Sequence, residues 1–423
     1  MRWGIALFRP TSVRWTITIA AALFVAYLLV GLRNSQLGAP WHVDEGQRIA
    51  ESYFWRLLAS GDLSSLDWFR AIADRSHPPM NKYVFGVAIR MSGREVPRSL
   101  DLARAYDGGV DAATMPDRFA SEYEPMRRPV RIAVFVLNCV TTAVLFALVL
   151  RWYGIVAAML SQIVLLRHVL FVQFLFYARS DVFQTFAVFM TVVPLVMAVC
   201  KRRSWAQMTW AGLAGVCAAF AFQTRLNGGV AALMCAVFLL AYQPKSRRML
   251  VAIGVMGLSF AAAALAVNPF YWATPASAAG LPAGVAGSPL PLRIVERFLV
   301  QVGDLRLLLR GVQPVWHLTT PGARLSYAAS ILFSGKAGVL MLAGLVAAAV
   351  ALVAGKTKPM ERATIVWAFT DATVTALWIP LRWEPYLLMV VPPLVLAASI
   401  GFAVAAREIA RRTRLPCGES LMD

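Results

Sequence analysis

Residues 385–406 read PYLLMVVPPLVLAASIGFAVAA and contain no charged side chain. A helix needs about 20 mostly apolar residues to cross the hydrocarbon core of a bilayer, so this stretch predicts a membrane-spanning helix. Further apolar runs of similar length occur at residues 14–32, 130–150, 154–177, 181–200, 205–223, 227–243, 249–268, 331–354 and 363–380. The sequence therefore predicts an all-α polytopic membrane protein, a bundle of about ten transmembrane helices.

The overall composition agrees with this class. The chain has 423 residues, of which 59% are hydrophobic and 15% are charged. Soluble domains are about half apolar and about a quarter charged. These values exclude an ordinary soluble enzyme and a disordered protein. The five cysteines show no C-x-x-C spacing, so neither a disulfide framework nor a zinc site is predicted.

The positions of the basic residues predict how the chain is oriented. Lys and Arg concentrate in short connections on the cytoplasmic side of a membrane. Here short basic clusters fall at every second connection between the predicted spans. They are Arg2, Arg9 and Arg14; Arg151; Lys201, Arg202 and Arg203; Lys245, Arg247 and Arg248; Lys356, Lys358 and Arg362; and Arg407, Arg411, Arg412 and Arg414. Both termini are therefore predicted to be cytoplasmic, and the net charge of +19 does not indicate a nucleic-acid partner.

This orientation divides the chain into six segments. They are an N-terminal cytoplasmic tail with the first span (1–32), a long extracytoplasmic loop (33–129), spans two to seven (130–268), a second extracytoplasmic loop (269–330), spans eight to ten (331–406) and a cytoplasmic tail (407–423).

Each outer loop contains an amphipathic helical pattern. Phe54 and Leu57 belong to the apolar face of the first pattern, and Phe298 belongs to that of the second. In the second pattern Arg293 and Arg297 lie on the opposite face. Such helices are typical of the membrane interface, and packing on the bundle explains the pattern equally well.

A pair of carboxylates follows the first predicted span. Residues 41–46 read WHVDEG, which places Asp44 and Glu45 side by side. Adjacent carboxylates at a membrane surface can serve as a general base and a positioning group. The alternative is a helix start, in which Asp44 is the N-cap and Glu45 interacts with the helix dipole. Spacing alone favours the helix start.

A second motif lies at residues 77–83, which read HPPMNKY. The two prolines restrict the backbone and can hold His77 and Lys82 in place. The alternative is a plain loop followed by a helix that starts at Pro79.

Together these two motifs resemble a family of membrane enzymes. An Asp-Glu pair after the first span, followed later by His-Pro-Pro, is similar to the protein O-mannosyltransferase and aminoarabinose-transferase group. This group belongs to the C-type glycosyltransferase superfamily (GT-C). Shorter pieces that add to the resemblance are YARSD (177–181), QTRLNG (223–228) and RWEPY (382–386), the last followed by two prolines at 392–393.

The resemblance implies an activity and a site. It implies inverting transfer of a sugar from a polyprenyl-phosphate donor to a protein, lipid or glycan acceptor at the extracytoplasmic face. Asp44 is then the catalytic base and Glu45 its supporting partner. The residues implied to bind the donor phosphate are Arg225, Arg382 and Arg179, and those implied to line the site are His77, Lys82, Asp181 and Tyr386. No cofactor is implied, no metal site is assigned, and metal dependence is open.

A physical argument also supports the three arginines as ligands of the donor phosphate. They lie near the outer ends of predicted spans, against the positive-inside trend. Cations fixed beside a departing phosphate stabilise the transition state, and Arg binds phosphate through two parallel hydrogen bonds. The alternatives are snorkelling to lipid head groups and, for Arg179, an ion pair with Asp181.

Two other classes of function compete with a glycosyltransferase. A transporter or flippase of a lipid-linked or anionic substrate predicts internal repeats and ionisable residues near the midplane. The sequence shows no repeat, and its ionisable clusters lie at span ends. An inactive GT-C scaffold is the third hypothesis, and the intact Asp44–Glu45 pair argues against it. A compact, arginine-rich chain without a transit signal favours a bacterial inner membrane.

Overall fold

The fold is built of helices throughout the part of the chain that the structure describes. The structure is a computed structural model, and it describes residues 26, 30, 41, 43–69, 78–107, 114–175, 177–201, 203–243, 246–275, 289–311, 316–378 and 380–413. The helices are α1 (Val43–Ala50), α2 (Tyr53–Ala59), α3 (Met80–Met91), α4 (Asp101–Asp107), α5 (Met115–Tyr153), α6 (Ile155–Arg167), α7 (Val169–Gln173), α8 (Ser180–Met190), α9 (Val192–Cys200), α10 (Ser204–Phe222), α11 (Val230–Tyr242), α12 (Arg247–Val267), α13 (Pro269–Trp272), α14 (Leu290–Gly311), α15 (Pro321–Leu332), α16 (Gly335–Val353), α17 (Pro359–Trp378) and α18 (Val391–Thr413). The described part also contains 3₁₀ helices at Leu66–Trp68, Leu226–Gly229 and Glu384–Val390.

Most of the predicted spans coincide with apolar helices. Among the described residues, six helical segments are long and apolar enough to cross a membrane. They are Met115–Tyr153, Ser180–Cys200, Ser204–Phe222, Arg247–Val267, Gly335–Val353 and Glu384–Arg411. Two shorter apolar helices, Ile155–Arg167 and Leu226–Tyr242, and helix α17 fall on three more predicted spans. The span predicted at 14–32 lies outside the described residues except at 26 and 30. The predicted all-α polytopic membrane fold is confirmed.

The span predicted at 154–177 is broken instead of continuous. Helix α6 ends at Arg167, and His168 adopts an extended backbone with φ −72° and ψ 126°. The His168 side chain is fully buried, and its Nε2 lies 2.9 Å from the carbonyl oxygen of Leu332. A buried polar ring needs a hydrogen-bond partner, and this one finds its partner on α15, a different segment of the chain.

Helix α5 crosses the boundary predicted between the first loop and the second span. It begins at Met115, well before residue 130, and contains Pro125 and Pro129. Each proline removes one backbone hydrogen bond, but the helix continues through both. The N-terminal part of α5 therefore belongs to the first loop, where it packs against α1.

The two long loops pack together. Phe54 and Trp68 of the first loop share a buried apolar cluster with Phe270 and Tyr271 of the second. The Tyr83 hydroxyl donates to the carbonyl oxygen of Val267 at 3.1 Å. The apolar residues of the amphipathic pattern in the first loop thus pack on the protein. This agrees with the second alternative, packing on the bundle.

Helix α14 packs on the protein through the side that carries Arg297. The sequence places Arg297 opposite an apolar face that includes Phe298. In the structure Arg297 is fully buried, whereas the Phe298 side chain is 41% exposed. The polar face of α14 therefore points into the protein.

Candidate active site

Asp44 and Glu45 occupy different environments at the start of helix α1. The helix begins at Val43, so both carboxylates lie in its first turn and not at the N-cap, where they interact favourably with the helix dipole. Neighbouring residues of a helix are rotated by about 100° from one another, which sends the two side chains in different directions. Asp44 remains 27% exposed, and Glu45 is fully buried. Of the two, Asp44 is the one that a substrate can reach.

The buried Glu45 forms a two-pronged ion pair with Arg131 of helix α5. Arg131 Nε and Nη2 donate to Glu45 Oε1 and Oε2, each at 2.7 Å. The backbone N–H of Ala178 also donates to Glu45 Oε1, at 3.3 Å. Parallel hydrogen bonds of this kind are strong and directional. Glu45 therefore ties α1 to α5 and to the segment that carries Arg179.

Arg131 is a site residue that the sequence reasoning missed. It lies at the outer end of the predicted span 130–150, the same position that singled out Arg179, Arg225 and Arg382. Applying that criterion to every predicted span would have found it.

Gly46 allows α1 to approach α5 closely. A Cβ atom at this position would lie 2.3 Å from the Phe119 ring. The glycine after the Asp-Glu pair is therefore required for packing, and it fixes the depth at which Asp44 sits.

Asp44, Arg179, Asp181 and Arg225 form a continuous array of alternating charge. Arg179 Nη2 lies 2.9 Å from Asp44 Oδ2, and Arg179 Nε lies 3.2 Å from Asp181 Oδ2. Arg225 Nη1 lies 3.3 Å from Asp181 Oδ1, and Arg225 Nε donates to the Ser180 hydroxyl at 2.7 Å. The structure thus brings four of the predicted site residues together, from three separate segments of the chain.

The two arginines of the array have different surroundings. Arg179 contacts carboxylates on both sides, and the ion pair with Asp181 that the sequence offered as an alternative is present. Arg225 lies at the end of the array, and its guanidinium carbon is 4.7 Å from the centroid of the Tyr386 ring. Gly228 supports this loop, because a Cβ atom there would lie 2.1 Å from the carbonyl oxygen of Ala221.

Arg382 and Tyr386 extend the site along the last span. The Tyr386 ring packs edge-on against Trp383, with centroids 5.5 Å apart. The Arg382 backbone N–H donates to the carbonyl oxygen of Trp316 at 2.8 Å, beside an isolated bridge between His317 and Leu381. The Arg382 side chain is exposed and has no ion pair within the described ranges. Its guanidinium is therefore available to an anionic ligand.

The motif at residues 77–83 adjoins the Arg225 loop. The Met80 backbone N–H donates to the carbonyl oxygen of Gln223 at 2.9 Å. Lys82 is almost fully buried, and its Nζ lies 4.4 Å from the centroid of the Phe54 ring. Lys82 therefore lies beneath the surface. His77 lies outside the described residues. Among the residues the structure describes, no group of three or more His, Cys, Asp or Glu side chains is placed to hold a metal ion.

Comparison with known proteins gives one family match. Residues 125–272 match the family model of dolichyl-phosphate-mannose-protein mannosyltransferases. This range includes Arg131, Arg179, Asp181 and Arg225, and it excludes Asp44. No curated protein matches the chain in sequence.

Solved structures of membrane glycosyltransferases share the fold. ArnT from Cupriavidus metallidurans, in the apo state, is 16% identical with a TM-score of 0.52, covering 94% of this chain and 61% of that one. AglB from Archaeoglobus fulgidus, an oligosaccharyltransferase in complex with an inhibitory peptide and a dolichol-phosphate, is 13% identical with a TM-score of 0.52. That match covers 96% of this chain and 52% of AglB. The oligosaccharyltransferase of the same organism tethered to an acceptor peptide is 12% identical with a TM-score of 0.55, covering 93% and 50% of the two chains.

This chain thus spans about half to three-fifths of the length of these relatives. The agreement extends over nearly all of the chain, and the family model covers the segments that carry most of the charged array. The predicted resemblance is therefore confirmed: the protein is an integral membrane protein with the GT-C fold, similar to the protein O-mannosyltransferase and aminoarabinose-transferase group.

Proposed function

We propose that this protein is a membrane glycosyltransferase that transfers a sugar from a polyprenyl-phosphate donor to an acceptor at the extracytoplasmic face. One observation carries the proposal. A partly exposed carboxylate, Asp44, and a phosphate-binding candidate, Arg225, are joined through Arg179 and Asp181 into one array. This array supports the proposal because its carboxylate and its guanidinium groups, in the roles of base and cations, share one region of the protein.

In the proposed reaction Asp44 acts as the general base. Its carboxylate takes the proton of an acceptor hydroxyl or amide while the acceptor atom attacks the anomeric carbon of the sugar. The bond between that carbon and the phosphate oxygen breaks, and its electron pair leaves with the polyprenyl phosphate. Attack from the face opposite the phosphate inverts the anomeric configuration. A base must lie within hydrogen-bond reach of the proton it removes, and the exposure of Asp44 permits this.

The arginines have the complementary role. Negative charge develops on the departing phosphate, and fixed cations stabilise it in the transition state. Arg225 is prearranged by Asp181, Ser180 and Tyr386. Arg382 is exposed, lies four residues before Tyr386 in the chain, and is proposed as the second cation. Arg179 contributes indirectly, because its contacts with two carboxylates hold Asp44 in place.

The relatives support the donor and acceptor classes in this proposal. AglB was solved with a dolichol-phosphate, and an oligosaccharyltransferase was solved with an acceptor peptide. By analogy, we propose that this chain uses a polyprenyl-phosphate donor and a protein, lipid or glycan acceptor. The membrane that fits best is a bacterial inner membrane, with both termini in the cytoplasm.

A transfer assay tests the proposal. The purified full chain in sealed proteoliposomes is given polyprenyl-phosphate sugars with a radiolabelled sugar, together with a panel of peptide, lipid and glycan acceptors. We expect labelled acceptor of inverted anomeric configuration and free polyprenyl phosphate. Movement of intact labelled donor across the bilayer, with no labelled acceptor, would identify a flippase and contradict the proposal.

A further inference from the structure

Helix α14 buries two polar side chains and exposes three large apolar ones on its opposite side. The side chains of Leu292, Val295 and Leu299 are 53%, 55% and 62% exposed. Arg297 and Gln301 are fully buried. A surface helix facing water shows the opposite arrangement, with apolar residues inward and charges outward.

The inward face of α14 is held by specific contacts. Arg297 Nη1 donates to the carbonyl oxygens of Phe270 and Ala273 at 2.6 and 2.7 Å. The Arg297 guanidinium also lies over the Phe69 ring, 5.0 Å from its centroid. The Tyr271 hydroxyl donates to the Gln301 side chain. Burial lowers the pKa of Arg297 to about 10, so this side chain stays charged at neutral pH. These contacts fix the rotation of α14, and the outward direction of its apolar face follows from them.

The positions along the helix agree with this rotation. Residues of an α-helix are about 100° apart, so Leu292, Val295 and Leu299 share one side. Arg297 and Gln301, one turn apart, share the opposite side. Glu296 borders this side and is partly exposed, and the three large apolar side chains beside it mark contact with a membrane or another protein.

The surroundings of α14 indicate that lipid covers its exposed apolar face. The ring of Phe298 lies 6.5 Å from that of Phe222, at the outer end of the membrane-spanning helix α10. The Phe222 ring in turn lies 5.6 Å from the ring of Phe260 on α12, so the apolar face of α14 adjoins two membrane-spanning helices, whose Leu213 and Leu258 are similarly exposed.

We propose that the face formed by Leu292, Val295, Phe298 and Leu299 lies among the phospholipid acyl chains of the leaflet next to the candidate active site. The arrangement gives α14 a role as a lateral anchor. It holds α13 through Phe270 and Tyr271, and Asn268 before α13 donates to the Gln223 side chain at 3.2 Å. Gln223 begins the loop that carries Arg225, so the lipid anchor supports the phosphate-binding candidate.

Photolabelling from the lipid phase tests this inference. The full chain, one copy per nanodisc, is reconstituted in phosphatidylcholine that carries a diazirine near the middle of one acyl chain. After irradiation, labelled residues are identified by mass spectrometry. We expect label on Leu292, Val295 and Leu299 at a yield within about threefold of that on Val346, a positive control in span α16. The exposed pair Glu95 and Arg98 serves as a negative control.

Two results would overturn the inference. The first is labelled Val346 with α14 unlabelled, which would place the face outside the acyl region. The second is label on α14 that disappears in discs loaded with two copies, which would assign the face to a contact between copies. Label on α14 in both kinds of disc supports the lipid contact.

Discussion

Replacing Asp44 by Asn is expected to lower the rate of sugar transfer by about 10²–10⁴-fold, the contribution of a general base. Asn is nearly isosteric with Asp and cannot take up the acceptor proton. It still offers an oxygen to Arg179, which lies 2.9 Å from the Asp44 carboxylate. Binding of the donor should change little, because Arg225 and Asp181 are untouched. The measurement is kcat and the KM for the donor in the transfer assay.

This substitution separates the two interpretations of the motif. Asp44 lies in the first turn of α1, so a role limited to the helix start predicts only the loss of its interaction with the helix dipole, about 0.3–1 kcal/mol of stability, and a wild-type kcat for D44N. Asp117→Asn is the matched control, since Asp117 is exposed on α5 and has no role in the proposed chemistry. A wild-type kcat for D44N would remove Asp44 from the role of base.

Replacing Glu45 by Gln is expected to destabilise the fold by about 3–5 kcal/mol, the cost of leaving one member of a buried ion pair without its partner. Both side chains are almost completely buried, at 0% and 1% exposure for Glu45 and Arg131. Gln cannot return two charge-assisted hydrogen bonds to the guanidinium. The free energy of unfolding, measured by SDS titration in mixed micelles, gives the size of the effect.

Two variants make this prediction specific. Glu95→Gln breaks an exposed Glu–Arg pair of similar length, 2.6 Å, and should leave the free energy of unfolding nearly unchanged. The double variant E45Q with Arg131→Met removes both charges. It should be more stable than E45Q alone, because no charge then remains buried without a counter-ion. Equal stability of E45Q and the wild type would show that the pair does not hold α1 in place.

The membrane fold could be predicted because a bilayer imposes a simple requirement. A run of uncharged residues such as 385–406 has to be long enough to cross it, and that length is visible in the sequence. The ends of helices were less predictable. His168 ends α6 by contacting Leu332, and α5 continues outward through two prolines to Met115. Both outcomes depend on tertiary contacts that local sequence does not contain.

The candidate site was likewise predictable only in part. Asp44, Arg179, Asp181 and Arg225 were singled out from their motifs, and the structure brings them together. The pair of Arg179 with Asp181 was anticipated, because the two residues are close in sequence. The pairs that join distant segments, Arg179 with Asp44 and Arg225 with Asp181, were not predictable. The buried position of Arg297 was also missed. Its partners are backbone carbonyl oxygens, which leave no mark in a sequence.

The most direct test of the proposed site is a density map of the protein with polyprenyl phosphate bound. We expect the phosphate within hydrogen-bond distance of the guanidinium groups of Arg225 and Arg382, with the Asp44 carboxylate facing the same space. Phosphate density elsewhere on the protein, with the array from Asp44 to Arg225 unoccupied, would contradict the account.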